Sequence, residues 1–189
     1  FNEKIFAIHF KDLIPRTLIT SNLSKIEDFH KELEEPIVVK PLDGMGGKSI
    51  YMMEEINEEE YVILKELTNN YKTQIVVQEF LPDIYDGDVR VLIIHGKPYE
   101  KTLARIPQGG SFKGNLAAGG KGEVRDISDI QMRIGSVVGE FLMEKDINFA
   151  GIDIIGQKLT EINITSPTCA REIFEQSGMN PIEEYFKKL

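Results

Sequence analysis

Gly151-Ile-Asp-Ile-Ile-Gly-Gln-Lys-Leu-Thr-Glu-Ile-Asn-Ile-Thr165 consists of two apolar runs around a Gly156-Gln157 turn signal, the pattern of an antiparallel β-hairpin. Glu161 and Asn163 stand two residues apart in the second run. Strand side chains alternate faces, so both point the same way. Asp153 lies in the first run. A three-residue loop, Gly156 to Lys158, sets Asp153 directly opposite Glu161; a two-residue loop sets it on the other face. Should the three converge, they offer the hard oxygen donors of a Mg2+ site that also takes phosphate oxygens. The alternative is a half-exposed hairpin with a wet polar face, which is ordinary in antiparallel sheets. The metal reading therefore requires an odd-numbered turn after Ile155, or a bulge that restores the face.

Outward from the hairpin, His95-Gly96-Lys97 between two apolar runs is a second tight turn. Strands are expected at 4–9, 36–40, 48–53, 74–78, 88–95, 98–105, 149–155 and 159–164. Ser24-Lys-Ile-Glu27 and Ser128-Asp-Ile-Gln131 have the spacing of capping boxes, and Asn180-Pro181 pairs an N-cap with Pro at the first helical position. Asn57 with Glu60 starts another helix, running to about Asn69. Ile130, Ile134, Val137, Val138, Phe141 and Leu142 recur at helical spacing, so the helix over 129–145 buries one face. Helices mixed with antiparallel hairpins indicate an α+β protein, not a regular βαβ alternation. A break near 77–81, ending in Pro82, divides the chain into lobes 1–77 and 78–189.

The 189 residues suffice for one good-sized domain or two small lobes. A net charge of -9 argues against nucleic-acid binding, which needs clustered Lys and Arg. Cys169, the single cysteine, excludes an internal disulfide framework and fits a reducing, cytoplasmic compartment. No apolar run approaches the roughly 20 residues of a membrane span, so no membrane partner is expected. The sequence begins at Phe1, from which a processed chain or part of a longer one is expected.

Two glycine-rich segments could carry chemistry. In Val38-Val-Lys-Pro-Leu-Asp-Gly-Met-Gly-Gly-Lys-Ser49 the glycines let backbone N–H groups approach an anion, and Lys40 and Lys48 supply positive charge. It fits neither the P-loop nor the dinucleotide fingerprint. A glycine-rich hairpin turn is the plainer reading. The second, 105–122, is a long loop of the kind that serves as a lid over a water-sensitive intermediate; the alternative is a surface loop. Arg90 and Arg105 lie near the ends of the two strands joined at 95–97, so both could reach one site and stabilise a transferring phosphoryl group. Asp86 and Asp88 could instead simply pair with Arg90. Cys169 is read as a small packed residue.

Together Lys4 in Asn2-Glu-Lys-Ile5, Lys40 in Val39-Lys-Pro-Leu-Asp-Gly-Met-Gly-Gly47, Gln78-Glu-Phe-Leu-Pro82, Asp86-Gly-Asp-Val-Arg90, Ala104-Arg-Ile-Pro-Gln-Gly-Gly110, Gly114-Asn-Leu-Ala-Ala-Gly-Gly120, Gly151-Ile-Asp-Ile-Ile-Gly156 and Thr160-Glu-Ile-Asn-Ile-Thr-Ser-Pro-Thr168 resemble the bacterial glutathione synthetases. These are ATP-grasp carboxylate–amine ligases, and the motifs run in order from residue 2 almost to the C-terminus. The resemblance implies two α+β lobes with ATP between antiparallel sheets. Lys4 and Lys40 would meet the phosphates under a small loop of Gly44, Met45, Gly46 and Gly47. Gln78, Glu79 and Leu81 would form the adenine-side hinge, and Asp88 would accept from the ribose. Asp153, Glu161 and Asn163 would hold Mg2+, with Mn2+ as a substitute. Arg90 and Arg105 would face the γ-phosphate and the acyl carboxylate, beneath a lid at 107–122. Asn115, Ser166, Pro167 and Thr168 would place the peptide substrate.

The activity so implied joins γ-glutamylcysteine to glycine through an acyl phosphate, giving glutathione. Full-length members carry a further N-terminal substrate domain with subunit contacts, absent from this chain, so a homo-oligomer is expected of the full-length protein. Two other readings stand beside it. One is a Mg-ATP-binding module that does not turn over without its missing domain. The other is an ATP-grasp enzyme joining a different acid and amine.

Overall fold

The computed structural model describes residues 2–43 and 49–187. In chain order the elements are α1 (Glu3–Phe6), β1 (Thr17–Thr20), α2 (Leu23–Leu33), β2 (Ile37–Pro41), β3 (Tyr51–Met53), α3 (Glu58–Leu67), β4 (Ile75–Glu79), β5 (Asp88–Ile94), β6 (Lys97–Pro98), β7 (Lys101–Ile106), β8 (Lys121–Asp126), α4 (Asp129–Met143), β9 (Phe149–Ile155), β10 (Lys158–Asn163), α5 (Ala170–Ser177) and α6 (Pro181–Phe186). One sheet has the order β1-β4-β2-β3; the other has β10-β9-β5-β7-β8, with β6 paired to β5. Every pairing is antiparallel. This is the α+β architecture that the mixed pattern of helices and hairpins predicts.

The smaller sheet buries Ile37, Val39, Ile75 and Val77 against Ile26 of α2 and Leu64 of α3. Because strand side chains alternate, Val38, Lys40 and Gln78 emerge on the opposite face. The larger sheet places Val89, Val91, Ile93, Ile152 and Ile154 beneath α4. Ile134, Val138 and Leu142 of that helix are fully buried, each contributing roughly 1.5–3 kcal/mol. The other face of the larger sheet divides in two. Leu92 and Leu103 lie under Cys169 and Ile173 of α5, and Asp88, Arg90, Arg105 and Asp153 form a charged group beside them.

The strand expected at 4–9 is helical. Asn2 caps it, its Oδ1 accepting from the N–H groups of Lys4 and Ile5 at 3.1 Å each. A helical turn also brings Phe6 and Phe10 together against Phe141 of α4, at 5.3 and 5.4 Å, which an extended segment would not do. Residues of this N-terminal segment, Ala7 and Ile14 among them, join the core of the larger sheet. The expected division at 77/78 falls inside β4, which runs to Glu79 in the smaller sheet.

Capping boxes are present at Asn57/Glu60 and Ser128/Gln131, and Asn180 caps a helix opened by Pro181. The Ser24–Glu27 box is absent. α2 starts earlier, capped by Asn22, whose Oδ1 accepts from the Lys25 N–H. The strands β1 and β8 were not expected. β8, Lys-Gly-Glu-Val-Arg-Asp, is charged and holds a glycine, as edge strands often do. Its outer edge is covered by Gln176, which accepts from the Val124 N–H and donates to the Gly122 carbonyl.

Candidate functional site

The β9–β10 hairpin departs from the expected turn and keeps the expected face. Ile155 pairs with Lys158 across a two-residue turn, Gly156-Gln157, where three residues were expected. Between Leu159 and Glu161 the register shifts, and Thr160 is the extra residue. The bulge sets Glu161 opposite Asp153 and Asn163 opposite Gly151, so the polar groups share one face. The Thr160 hydroxyl donates to the Asp153 carbonyl across the bulge at 3.2 Å.

That face forms one wall of a cleft of about 920 Å³, open to solvent, between the two sheets. Its polar end is lined by Lys4 and Lys40, Asp88, Asp153, Thr160 and Glu161, and its other end by Val38, Ile50, Phe80, Leu81, Ile84 and Ile155. Gln78, Glu79 and Asn115 also line it. Lys4 reaches the site from α1, its Nζ 3.2 Å from Glu161 Oε1. Lys40 comes from β2 in the opposite wall. Burial lowers the Lys40 pKa, partly offset by Glu161. Gly44, Met45, Gly46, Gly47 and Lys48 lie outside the described residues.

Arg90 and Arg105 are not among the residues lining the cleft. They lie buried behind its wall, at 5% and 4% exposure. Arg90 donates from Nε and Nη2 to the two Asp153 oxygens at 2.5 and 3.0 Å, and Arg105 Nη2 lies 2.9 Å from Oδ1. Asn163 Nδ2 donates to Oδ2 at 3.3 Å and to the Gly151 carbonyl at 3.4 Å. Three hydrogen bonds thus reach Asp153, two from Arg90 and one from Asn163, while Arg105 Nη2 stands at ion-pair distance without a hydrogen bond. It anchors the arginine pair and also lines the cleft with Glu161, and these two carboxylates with the Asn163 amide oxygen are the donors that could hold a cation. Both neighbours of the Asn163 amide are acceptors, which fixes its NH2 toward them and turns Oδ1 the other way.

Arg90 pairs with Asp153, not with Asp86 or Asp88; Asp88 instead meets Arg105, at 2.6 Å. Its other oxygen, Oδ1, is buried without a hydrogen-bond partner among the described residues. Burial raises the Asp88 pKa to about 6; Arg105 opposes this and Asp153 adds to it. Burial also pushes the Asp153 carboxyl up, but Arg105 and Arg90 outweigh it and bring the pKa down to about 2. Adjacent carboxyls are thus driven apart, one firmly ionised and one poised to take a proton.

Two glycines permit this packing. A Cβ on Gly151 would meet Arg90 Cδ at 2.8 Å and Pro167 at 3.0 Å. A Cβ on Gly114 would run into the Arg105 carbonyl and meet Asp88 Cβ at 3.1 Å, so the 107–120 loop approaches the charged group at backbone distance. Pro167 borders the Arg90 end; Ser166 and Thr168 are exposed. Cys169 is a packed residue at 3% exposure, in the left-handed region at φ 89, and burial raises its thiol pKa.

The charge balance suits a hard cation bridging to phosphate oxygens. Mg2+ is commonly held by one or two protein oxygens and completed by water and phosphate. Asp153, Glu161 and the Asn163 amide oxygen are oxygen donors of that kind, with Lys4 and Lys40 beside them. Thr160, Phe112 and Lys113 also line the cleft and were not expected there. The position of a bulge has no signature in the strand sequence, and nothing in the loop composition marks which residues face inward.

Two sheets clasping a cleft with a lysine from each wall define the ATP-grasp fold. The solved structure of D-cycloserine synthetase DcsG shares it, with a TM-score of 0.73 at 13% identity over 91% of this chain and 65% of that one. The ATP-grasp ligase PsnB, solved with a phosphomimetic variant of its minimal precursor, Mg and ADP, has a TM-score of 0.69 at 18% identity, over 98% of this chain and 57% of that one. More narrowly, residues 3–178 match the ATP-grasp domain of prokaryotic glutathione synthetase, and the chain belongs to that family. It is 48% identical over 172 residues to the glutathione synthetase of Vibrio parahaemolyticus and 49% identical to that of Escherichia coli K12, covering 91% of this chain and 54% of each relative. The chain spans about half the length of the curated relatives it matches. Among the described residues, no helix is long and apolar enough to cross a membrane.

Proposed function

We propose that the cleft binds Mg-ATP and serves as the ATP-grasp part of a glutathione synthetase, joining γ-glutamylcysteine to glycine. The observation that carries this reading is the bulged hairpin, which brings Asp153, Glu161 and Asn163 to one face opposite Lys40. Family membership supplies the acid and the amine. The apolar end of the cleft takes the base beside Gln78, Glu79 and Leu81, with Asp88 toward the ribose. The polar end takes the phosphates at Lys4 and Lys40. In the same reading the working protein is cytoplasmic and homo-oligomeric in its full-length form, and its lobes divide near the β4 hinge.

The chemistry follows from the weakness of a carboxylate as an electrophile. Its oxygen must become a leaving group before an amine can attack. Transfer of the γ-phosphoryl to the γ-glutamylcysteine carboxylate makes an acyl phosphate and releases ADP; the glycine amine then attacks the carbonyl and phosphate leaves. Such transfers need positioning and charge neutralisation more than covalent help. Asp153, Glu161 and Asn163 would hold Mg2+, which would supply neutralisation of phosphate charge. Lys4 and Lys40 bind the phosphates from opposite walls. Arg90 and Arg105, fixed by Asp153, place fixed positive charge behind the site where the transferring group sits, with no reorganisation during the step. Asn115 and Ser166–Thr168 position the acid, and the 107–120 loop excludes water from the acyl phosphate.

The test is phosphate release by this chain with ATP, Mg2+, γ-glutamylcysteine and glycine, with and without the remaining half of a full-length relative. Release that requires both substrates supports the reading. Release with another acid and amine, but not with these, overturns it in favour of a different ligase.

A further inference from the structure

The 107–120 loop has the build of a hinged flap. Gly109 and Gly110 have φ values of 63 and 79 at its start and Gly119 has φ 93 at its end, all three with open space where a side chain would stand. Between them Phe112 to Asn115 line the cleft. Gly114 fastens the inner part at backbone distance to Arg105 and Asp88. The outer part is fastened differently. The Phe112 ring meets Phe80 edge-on at 6.3 Å, and Phe80 in turn meets Tyr85 at 6.3 Å. Phe80 follows β4 directly, at the apolar end of the cleft. Lys113 Nζ stands 6.0 Å over the Tyr51 ring of β3, so the same stretch of loop also touches the smaller sheet.

We propose that Phe112 is the latch of this flap, its ring against Phe80 holding the loop over the apolar end of the cleft so that nucleotide leaves only when that contact opens. The inference rests on the reading of the cleft as a Mg-nucleotide site and adds a residue that controls release. Phe112 is a positioning residue: it acts through the loop and Phe80, not on the reacting atoms. An edge-to-face aromatic pair is attractive beyond the area it buries, and Phe112 is half-buried, so the contact can hold the loop and still open. The hydrogen bond beside Phe112, from the Lys113 N–H to Ser111 Oγ at 3.0 Å, is local, so the outer part of the loop can lift while Gly114 and Leu116 stay packed.

The experiment is stopped-flow release of a fluorescent ADP analogue with Mg2+ from this chain and from Phe112→Ala, Phe112→Tyr, Phe80→Ala and the double alanine variant. Phe112→Ala should release nucleotide about tenfold faster, with the association rate changed far less, and Phe112→Tyr should restore slow release. Phe112→Ala in the Phe80→Ala background should add little, because the two rings act as one contact. With Mg-ADP bound, a protease should cut the loop of Phe112→Ala faster than that of the unaltered chain. Release from Phe112→Ala at the unaltered rate, or fully additive effects of the two alanines, overturns the latch while leaving nucleotide binding intact. No binding by the unaltered chain overturns the nucleotide reading and the latch with it.

Discussion

Replacing Asp153 by asparagine tests the charged group where it is most tightly built. The side chain keeps its shape and loses its charge. In the unaltered protein Asp153 and Asp88 offset Arg90 and Arg105, and all of these side chains are buried or nearly so. The Asp153→Asn change would leave one guanidinium without a counter-charge and would set an NH2 against N–H donors. Breaking a buried ion pair from one side costs about 3–5 kcal/mol. For a chain of this size, that lowers Tm by roughly 6–20 °C. The ionic part has a pH signature. A carboxyl drawn from 3.8 in the unfolded chain down to about 2 contributes stability above pH 4 that fades as pH falls through 2. The variant should therefore trail the unaltered chain throughout the neutral range and approach it in acid. Urea unfolding followed by circular dichroism at pH 7 and pH 3 measures both effects. A loss below 1 kcal/mol at pH 7, or the same loss at both pH values, would refute the claim that Asp153 anchors the arginine pair.

Other changes separate the parts of the site. Arg105→Ala should lower turnover in a steady-state phosphate-release assay by about 10²-fold or more, because it removes fixed positive charge behind the site and leaves Asp88 and Asp153 under-compensated; near-normal turnover would remove Arg105 from the mechanism. Asp88→Asn should behave oppositely to Asp153→Asn in how its stability varies with pH. A carboxyl raised to about 6 on folding contributes stability when protonated at low pH and loses that contribution as pH rises through 6, so the amide, though it leaves Arg105 with one counter-charge fewer, should lose less at pH 8 than Asp153→Asn does and should gain on the unaltered chain as pH rises from 4 to 8 in denaturation midpoints. Gly114→Ala should lift the loop from the Arg105 carbonyl. The expected result is a raised rate of ATP hydrolysis without glycine relative to ligation, and an unchanged ratio would count against the loop as a shield from water.

The hairpins and most helix starts were legible because their signals are local. Alternation places Glu161 and Asn163 on one face whatever the tertiary context, and Asn57, Ser128 and Asn180 cap through bonds to residues two or three away. What escaped was decided by contacts between distant segments. Apolar residues at 4–9 suit a strand or a turn of helix equally. Docking against Phe141 of α4, together with the Asn2 cap, selects the helix. At Ser24–Glu27 the motif is sound, yet Asn22, two residues earlier, takes the cap. β8 carries little of the apolar alternation that marks a strand and exists because β7 pairs with it. The bulge at Thr160 leaves no mark in composition. It was foreseeable only as one of two ways to keep Asp153 and Glu161 on one face, and the protein uses a two-residue turn with the bulge. The burial of Arg90 and Arg105 behind Asp153 was likewise hidden. Arg90 and Asp153 are 63 residues apart in the chain, and such a separation says nothing of contact.

The central claim is that the bulged hairpin makes the cleft a metal-dependent nucleotide site. Isothermal titration of the chain with ADP, in Mg2+ and then in excess chelator, tests it directly, with Glu161→Gln as the companion variant. Saturable binding in Mg2+, weakened by an order of magnitude or more by chelator or by the substitution, is the predicted result. Binding of equal strength with and without Mg2+, or none in either, would contradict the account.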